Sequence, residues 1–229
     1  MAKKRSKRYR ASLKSLPPRG TRLGVAEAVA ALKKVKPARF DETVEVAIKL
    51  GIDPRKADQI VRGSFALPHG LGVEKRVIAF ADAEHAEAAR AAGAIAVGTE
   101  DLAKRIQDGW LDFDVAIAHP ATMRFVGRLG RILGPQGKMP SPKSGTVTED
   151  VATAVREFRG GKIEYRNDAG GNIHAPVGKL SFDPAKLVEN IEAFIEHIRS
   201  AKPASAKGTY LQRASISASM SPGVDLAVS

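Results

Sequence analysis

The sequence contains no cysteine among its 229 residues. That excludes a disulfide framework, a cysteine-ligated zinc or iron–sulfur site and a thiol nucleophile. No uninterrupted apolar run approaches the roughly 20 residues that a membrane-spanning helix needs. The basic N-terminus MAKKRSKRYR leads into no apolar stretch, so it does not read as a secretory signal. Acidic residues are missing altogether from the first 26 positions, while nine basic ones lie there, from Lys3 to Arg22. The whole chain carries a formal charge of +12, so the remainder is close to neutral. With 43% hydrophobic residues the chain has enough apolar material for one or two packed domains rather than wholesale disorder.

The standard catalytic signatures are absent too. A dinucleotide site needs G-x-G-x-x-G between a strand and its helix, but the turn after Ala81 is Asp82-Ala83-Glu84. A phosphate loop fails at both ends around Gly137-Lys138, because position 132 is Ile and position 139 is Met. None of the five histidines makes an H-x-x-x-H pair, and no G-x-S-x-G elbow occurs. The carboxylate pairs Asp41/Glu42 and Asp112/Asp114 read as turns and solvated faces. No catalytic residue, metal site or cofactor is expected.

What is present is a basic arm over residues 1–22, suited to neutralising phosphates of a polyanion. A solubilising tail or a patch for anionic lipid would have the same composition. Two further acid-free windows lie between Asp114 and Glu149 and between Glu196 and Asp225. The first includes a glycine- and proline-rich basic stretch at 127–145, which reads as a loop able to bring amides and cations to phosphates.

The hydrophobic pattern divides the chain by texture. Val25, Ala28, Val29, Leu32 and Val35 have helical spacing, and Pro37 closes that helix. From Glu42 to Leu50 the residues alternate, with Val44, Val46, Ile48 and Leu50 on one face and Thr43, Glu45, Ala47 and Lys49 on the other. FALPHGLG at 65–72 reads as a linker. Beyond it, short apolar runs at 76–81, 94–97 and 113–118 alternate with helices at 83–92 and 100–107, the pattern of a parallel sheet. A helix is expected around Val151 to Phe158, then a break at Gly160–Gly161. A hairpin follows, with a run through Ile163 and Tyr165, a turn at 167–171 and a partner run from Ile173 to Leu180. Asp183-Pro184 opens the most regular helix, through Leu187, Ile191, Phe194 and Ile198. Alternation returns over 207–220.

The expected fold class is therefore an α+β domain built from both chain termini, with an inserted α/β domain whose helices flank a parallel sheet. The first is expected over residues 1–67 and 160–229, and the second over 68–159.

Four blocks then resemble one family. They are RFDETVE running into KLGIDPRKADQIVRG, LGPQGKMPSPKSGTV at 133–147, Gly161 to Lys179, and KGTYLQRASISASMSPG at 207–223. In this order they resemble the bacterial ribosomal protein L1 family over nearly the whole chain. The resemblance implies a Rossmann-like topology for the inserted α/β domain, and a non-catalytic, cytoplasmic protein of the large ribosomal subunit that binds 23S rRNA. It implies a place in the mobile L1 stalk, involved in release of exit-site tRNA, and repression of translation through the mRNA of its own operon. It implies neither a cofactor, nor a membrane partner, nor a stable homo-oligomer. By motif, the implied RNA contacts are Arg39, Phe40, Thr43 and Glu45 in the first block, with His174 and Lys179 in the third. Ser219, Met220 and Ser221 stand where the family has Thr-Met-Gly. Serine at 221 would be costly if the backbone required a positive φ. Two other readings stay open: an α/β enzyme acting on a phosphorylated substrate at the 127–145 loop, and a polyanion binder driven by the arm alone.

Overall fold

A computed structural model describes residues 6–18, 20–35 and 37–228. Of the basic arm, Lys3, Lys4, Arg5 and Arg19 lie outside the described residues. The elements in chain order begin with α1 (Lys7–Ser15), α2 (Val25–Lys34), β1 (Thr43–Leu50) and β2 (Arg62–Ala66). They continue with β3 (Val77–Phe80), α3 (Ala83–Ala91), β4 (Ala96–Gly98), α4 (Glu100–Gln107) and β5 (Val115–Ala118). Short helical turns follow, including α5 (Met123–Val126) and α6 (Gly130–Leu133). Last come α7 (Val151–Arg159), β6 (Lys162–Arg166), β7 (Asn172–Lys179), α8 (Pro184–Ser200), β8 (Leu211–Ala218) and β9 (Val224–Leu226). The chain combines an antiparallel sheet with a separate parallel one. Its internal contacts group into two compact units, residues 1–72 with 165–229 and residues 73–164.

The first unit is built on a four-stranded sheet in the order β7-β1-β8-β9. Strand alternation gives it one apolar face: Val44, Val46 and Ile48 of β1, Ile173, Ala175 and Val177 of β7, and Ala214 and Ile216 of β8 are all buried. Helices α2 and α8 cover that face. Helix α8 starts where Asp183 accepts from the Ala185 amide with Pro184 at the first helical position, as expected from the sequence. Its buried Asn190 accepts from the His69 amide and donates to the carbonyls of Gly70 and Val177, tying the segment after β2 to β7. The other face of the sheet carries Thr43, Glu45, Lys49, His174, Arg213 and Ser217, all exposed or half-buried.

The second unit is a three-stranded parallel sheet in the order β4-β3-β5. Helices α3 and α7 pack one side around Phe158 and Val155. Helix α4 and the turns after β5 pack the other, around Phe80, Ile106, Phe113 and Leu129. All four residues of β3 are buried, which is why this strand reads as an unbroken apolar run.

Several local expectations are corrected. The linker at 65–72 begins inside β2, so Phe65 and Ala66 are strand residues. The 127–145 segment is not a single loop. Residues 127–133 continue helical turns with Leu129 and Leu133 buried, because the apolar spacing Val126, Leu129, Leu133 outweighs the glycines between them. The hairpin after Gly161 does not form a ladder. β6 shares a two-stranded sheet with β2, β7 pairs with β1, and a single bridge joins Asn167 to Ile173. The Asp168 side chain, accepting from the Gly170 and Asn172 amides, turns the chain from one sheet to the other. The arm contains helix α1, capped by the Ser6 side chain. Helix α1 has no apolar periodicity to announce it, because it is mostly basic and polar.

Candidate nucleic-acid interface

The polar end of β1 gathers most of the predicted contacts. Thr43 is the hub. Its amide donates to the Ser219 hydroxyl (3.2 Å), its carbonyl accepts from the Ser219 amide (3.1 Å), and its hydroxyl accepts from the Lys179 ammonium (2.9 Å). Thr43 lies directly opposite Lys179 in the β1–β7 ladder, and Glu45 lies opposite Ser217 of β8.

Lys179 reaches this face through a β-bulge. Ile173, Ala175 and Val177 alternate into the core, so strict parity would send Lys179 inward as well. Between Val44 and Glu45 the register shifts, leaving Val177 as the extra residue on β7. The bulge turns Lys179 to the side of Thr43. It depends on Gly178, whose φ is +152° and whose missing Cβ would stand 2.9 Å from Leu187 Cδ2.

Beneath the polar end lies Glu42, a buried carboxylate at 1% exposure. It accepts from the Ala38 amide (2.6 Å) and from the Met220 amide (2.8 Å), and Arg8 of α1 stands 3.7 Å from it. Arg8 also donates to the Met220 carbonyl. The expectation that Asp41 and Glu42 both form a solvated turn is thus corrected for Glu42. Its partners lie in loops far apart in sequence, which a local pattern cannot reveal. Asp41 stays exposed and accepts from the Ser181 amide and hydroxyl.

Glu42 thereby fixes two loops that each present an apolar side chain to solvent. Phe40 is 55% exposed and Met220 is 52% exposed, the largest such values among the exposed large hydrophobic residues of this unit. Arg39 is exposed beside Phe40. Ser221 accepts from the Ala218 amide (2.8 Å), and no described non-glycine residue has a positive φ, so serine carries no backbone penalty there. His174 is set apart. It lies opposite Ala47, four residues along β1 from Thr43, about 13 Å at strand rise. Its ring stands 3.8 Å from Asp168. The Asp168 carboxyl is held below the usual carboxylate range by hydrogen bonds from the Asn172 side chain and backbone, with the Gly170 amide and His174 adding to the effect.

Toward β9 the same face continues to Arg213, whose guanidinium grips Asp225 in a paired contact (2.8 and 2.9 Å). Tyr9, Leu13 and Leu16 line a groove of about 260 Å³ against Arg213, Ser215 and Asp225. The described part of the basic arm therefore stands beside the polar face.

A family model described as ribosomal protein L1p/L10e matches residues 32–222. The chain belongs to that family. It is a ribosomal protein that binds rRNA in the large subunit of the cytoplasmic ribosome, and the family is not one of enzymes. This sets aside the reading of 127–145 as a site for a phosphorylated substrate. Lys138, the cation that such a reading needs, instead donates to the Leu111 carbonyl (3.1 Å) and lies 4.9 Å over the Phe113 ring. The matched region of this L1-family chain spans both sides of the polar end of β1, Phe40 and Thr43 in one block and Ser219 to Ser221 in the other. Among the described residues no helix is long and apolar enough to cross a membrane, and no group of His, Asp and Glu is arranged to hold a metal ion.

Proposed function

We propose that the polar face of the first unit is the rRNA-binding surface, with Phe40, Thr43, Glu45, Lys179, Ser219 and Met220 at its centre. Arg39 and Ser221 flank them, and His174 lies further along the face. The observation that carries the reading is the pair of exposed apolar side chains, Phe40 and Met220, held through one buried carboxylate on either side of a hydroxyl-lined strand end. A folded RNA is recognised by shape, phosphates and 2′-hydroxyls. Thr43 and Ser219 can donate to and accept from a 2′-hydroxyl, and Glu45 accepts from a hydroxyl or a base amino group. Phe40 and Met220 exclude water from those contacts.

In this reading the two compact units are two domains, an RNA-binding domain made from both termini and an inserted α/β domain. The target is a helical junction of 23S rRNA in the mobile L1 stalk, where the protein takes part in release of exit-site tRNA. A similar structure in the mRNA of its own operon is bound by the same surface, which makes the protein a translational repressor. Family resemblance and the four sequence blocks support these roles.

The test is a salt-dependent gel-shift titration with the rRNA junction, the operon mRNA element and an unrelated hairpin of equal length. The junction is expected to bind orders of magnitude tighter than the hairpin. Met220→Ala should weaken junction binding with an almost unchanged salt slope, because no charge is removed. Equal binding of junction and hairpin, abolished for both by deleting residues 1–22, would instead make the arm the whole source of affinity.

A further inference from the structure

The second unit carries a cationic surface that the preceding reading does not use. After β5 the chain runs through continuous helical turns from Pro120 to Leu133. Thr122, Val126, Leu129 and Leu133 are buried, at spacings of four, three and four. Arg124, Arg128 and Arg131 repeat the same spacing two positions on, which is about 200° around a helix and so the opposite face. All three are exposed. Among the described residues no carboxylate pairs with any of them or with nearby Lys143, whereas Arg76, Arg159 and Lys162 of the same unit are paired. Among the described residues the three arginines have one partner, the Phe125 ring under Arg124.

Gly127, within this stripe, has no internal explanation. It is helical, with φ of −54°, so it does not need the left-handed region. A Cβ added to it would meet nothing within 4 Å. Glycine in a helix weakens it relative to alanine, so glycine at this open position costs stability without easing packing. Gly127 lies three residues after Arg124 and four before Arg131, between them on the exposed face. A bare backbone flanked by unpaired guanidiniums fits a partner that approaches the helix closely and brings negative charge.

We infer that the Arg124–Arg128–Arg131 stripe is a second RNA-contacting surface that seats a phosphate backbone against Gly127. The inference extends the rRNA-binding reading of the first unit, yet it concerns a different set of residues and a different mode. The contact is made with phosphates, independent of sequence, and adds to junction recognition rather than supplying it. Arginine suits this role through its planar fork of donors.

The test uses the full chain and an RNA duplex of about two helical turns without a junction, titrated across a salt series. Arg124→Ala/Arg128→Ala/Arg131→Ala should lower duplex affinity tenfold or more at low salt. It should also flatten the slope of log K against log salt by about 2 to 3, at roughly 0.9 per lost phosphate contact. Replacement of all three by lysine should retain the slope. Gly127→Ala should raise the melting temperature, keep the slope and weaken binding several-fold. Wild-type affinity and slope in the triple alanine variant would overturn the inference and point to an acidic protein partner. Unchanged affinity in the glycine variant would overturn the close approach. Met220→Ala, measured on the same duplex, should leave the slope alone. A failure of the first-unit reading therefore shows as lost junction preference, separately from any result at the stripe.

Discussion

Glu42 and Glu45 are three residues apart, yet they do different work. Glu42 is buried and accepts from two backbone amides, while Glu45 is exposed on the polar face. Hydrogen bonds to a charged acceptor contribute about 1.5–3 kcal/mol each, and a buried donor left without its partner costs a similar amount. Glu42→Gln presents an amide group to one of those N–H donors, so it should lower unfolding free energy by about 2–3 kcal/mol. Glu45→Gln should change stability by less than about 0.5 kcal/mol while weakening binding to the rRNA junction. Urea unfolding and gel-shift titration of the two variants separate these effects. Equal stability of the two variants would show that the Glu42 scaffold does not hold the Phe40 and Met220 loops. At this scale the motif blocks point to Thr43, Glu45 and Met220 as candidate contacts, but nothing local points to Glu42 or Arg8 as their support. The partners that define them lie 178 and 212 positions away, at Met220.

At the scale of elements, local pattern was informative wherever one face is buried and the other is not. The alternation in β1, the stripe of α8 and the run of β3 each declare themselves by burial that follows the strand or helix period. Pairing was less legible. The turn at 167–171 resembles a hairpin turn, but β6 and β7 enter different sheets, and neither choice is encoded locally. The bulge in β7 is a sharper case, because period-two reading assigns Lys179 to the core face. Gly178 is the residue that makes the exception. Its φ of +152° and the short contacts a Cβ would make with Leu187 and Phe182 both oppose any larger residue. Gly178→Ala should cost about 1–3 kcal/mol, read from the urea midpoint. The shift should also withdraw Lys179 from Thr43, so junction affinity of the folded variant should fall to about that of Lys179→Ala. Full affinity with wild-type stability would mean that the strand tolerates a side chain there and that the bulge does not position the lysine.

At the scale of the whole molecule, the two units differ in how their cores are assembled. The first needs residues from both ends of the chain, since β1 pairs with β7 and β8, and Leu23 bridges Leu226. The second is continuous, and its sheet is packed on both sides by its own helices. A continuous segment with a core of its own can fold alone. The segment 73–164 should therefore melt in one cooperative transition, with a calorimetric enthalpy matching the van't Hoff value and near 0.7 kcal/mol per residue at about 60 °C. The segment 1–72 has β1 without either neighbour and should remain unfolded by circular dichroism until 165–229 is added. Such a chain has one unit whose folding waits for the C-terminus and one that closes on itself as soon as β5 and α7 are available. A broad, non-cooperative melt of 73–164 would contradict this, and would mean that its two apolar clusters depend on the rest of the chain for their packing.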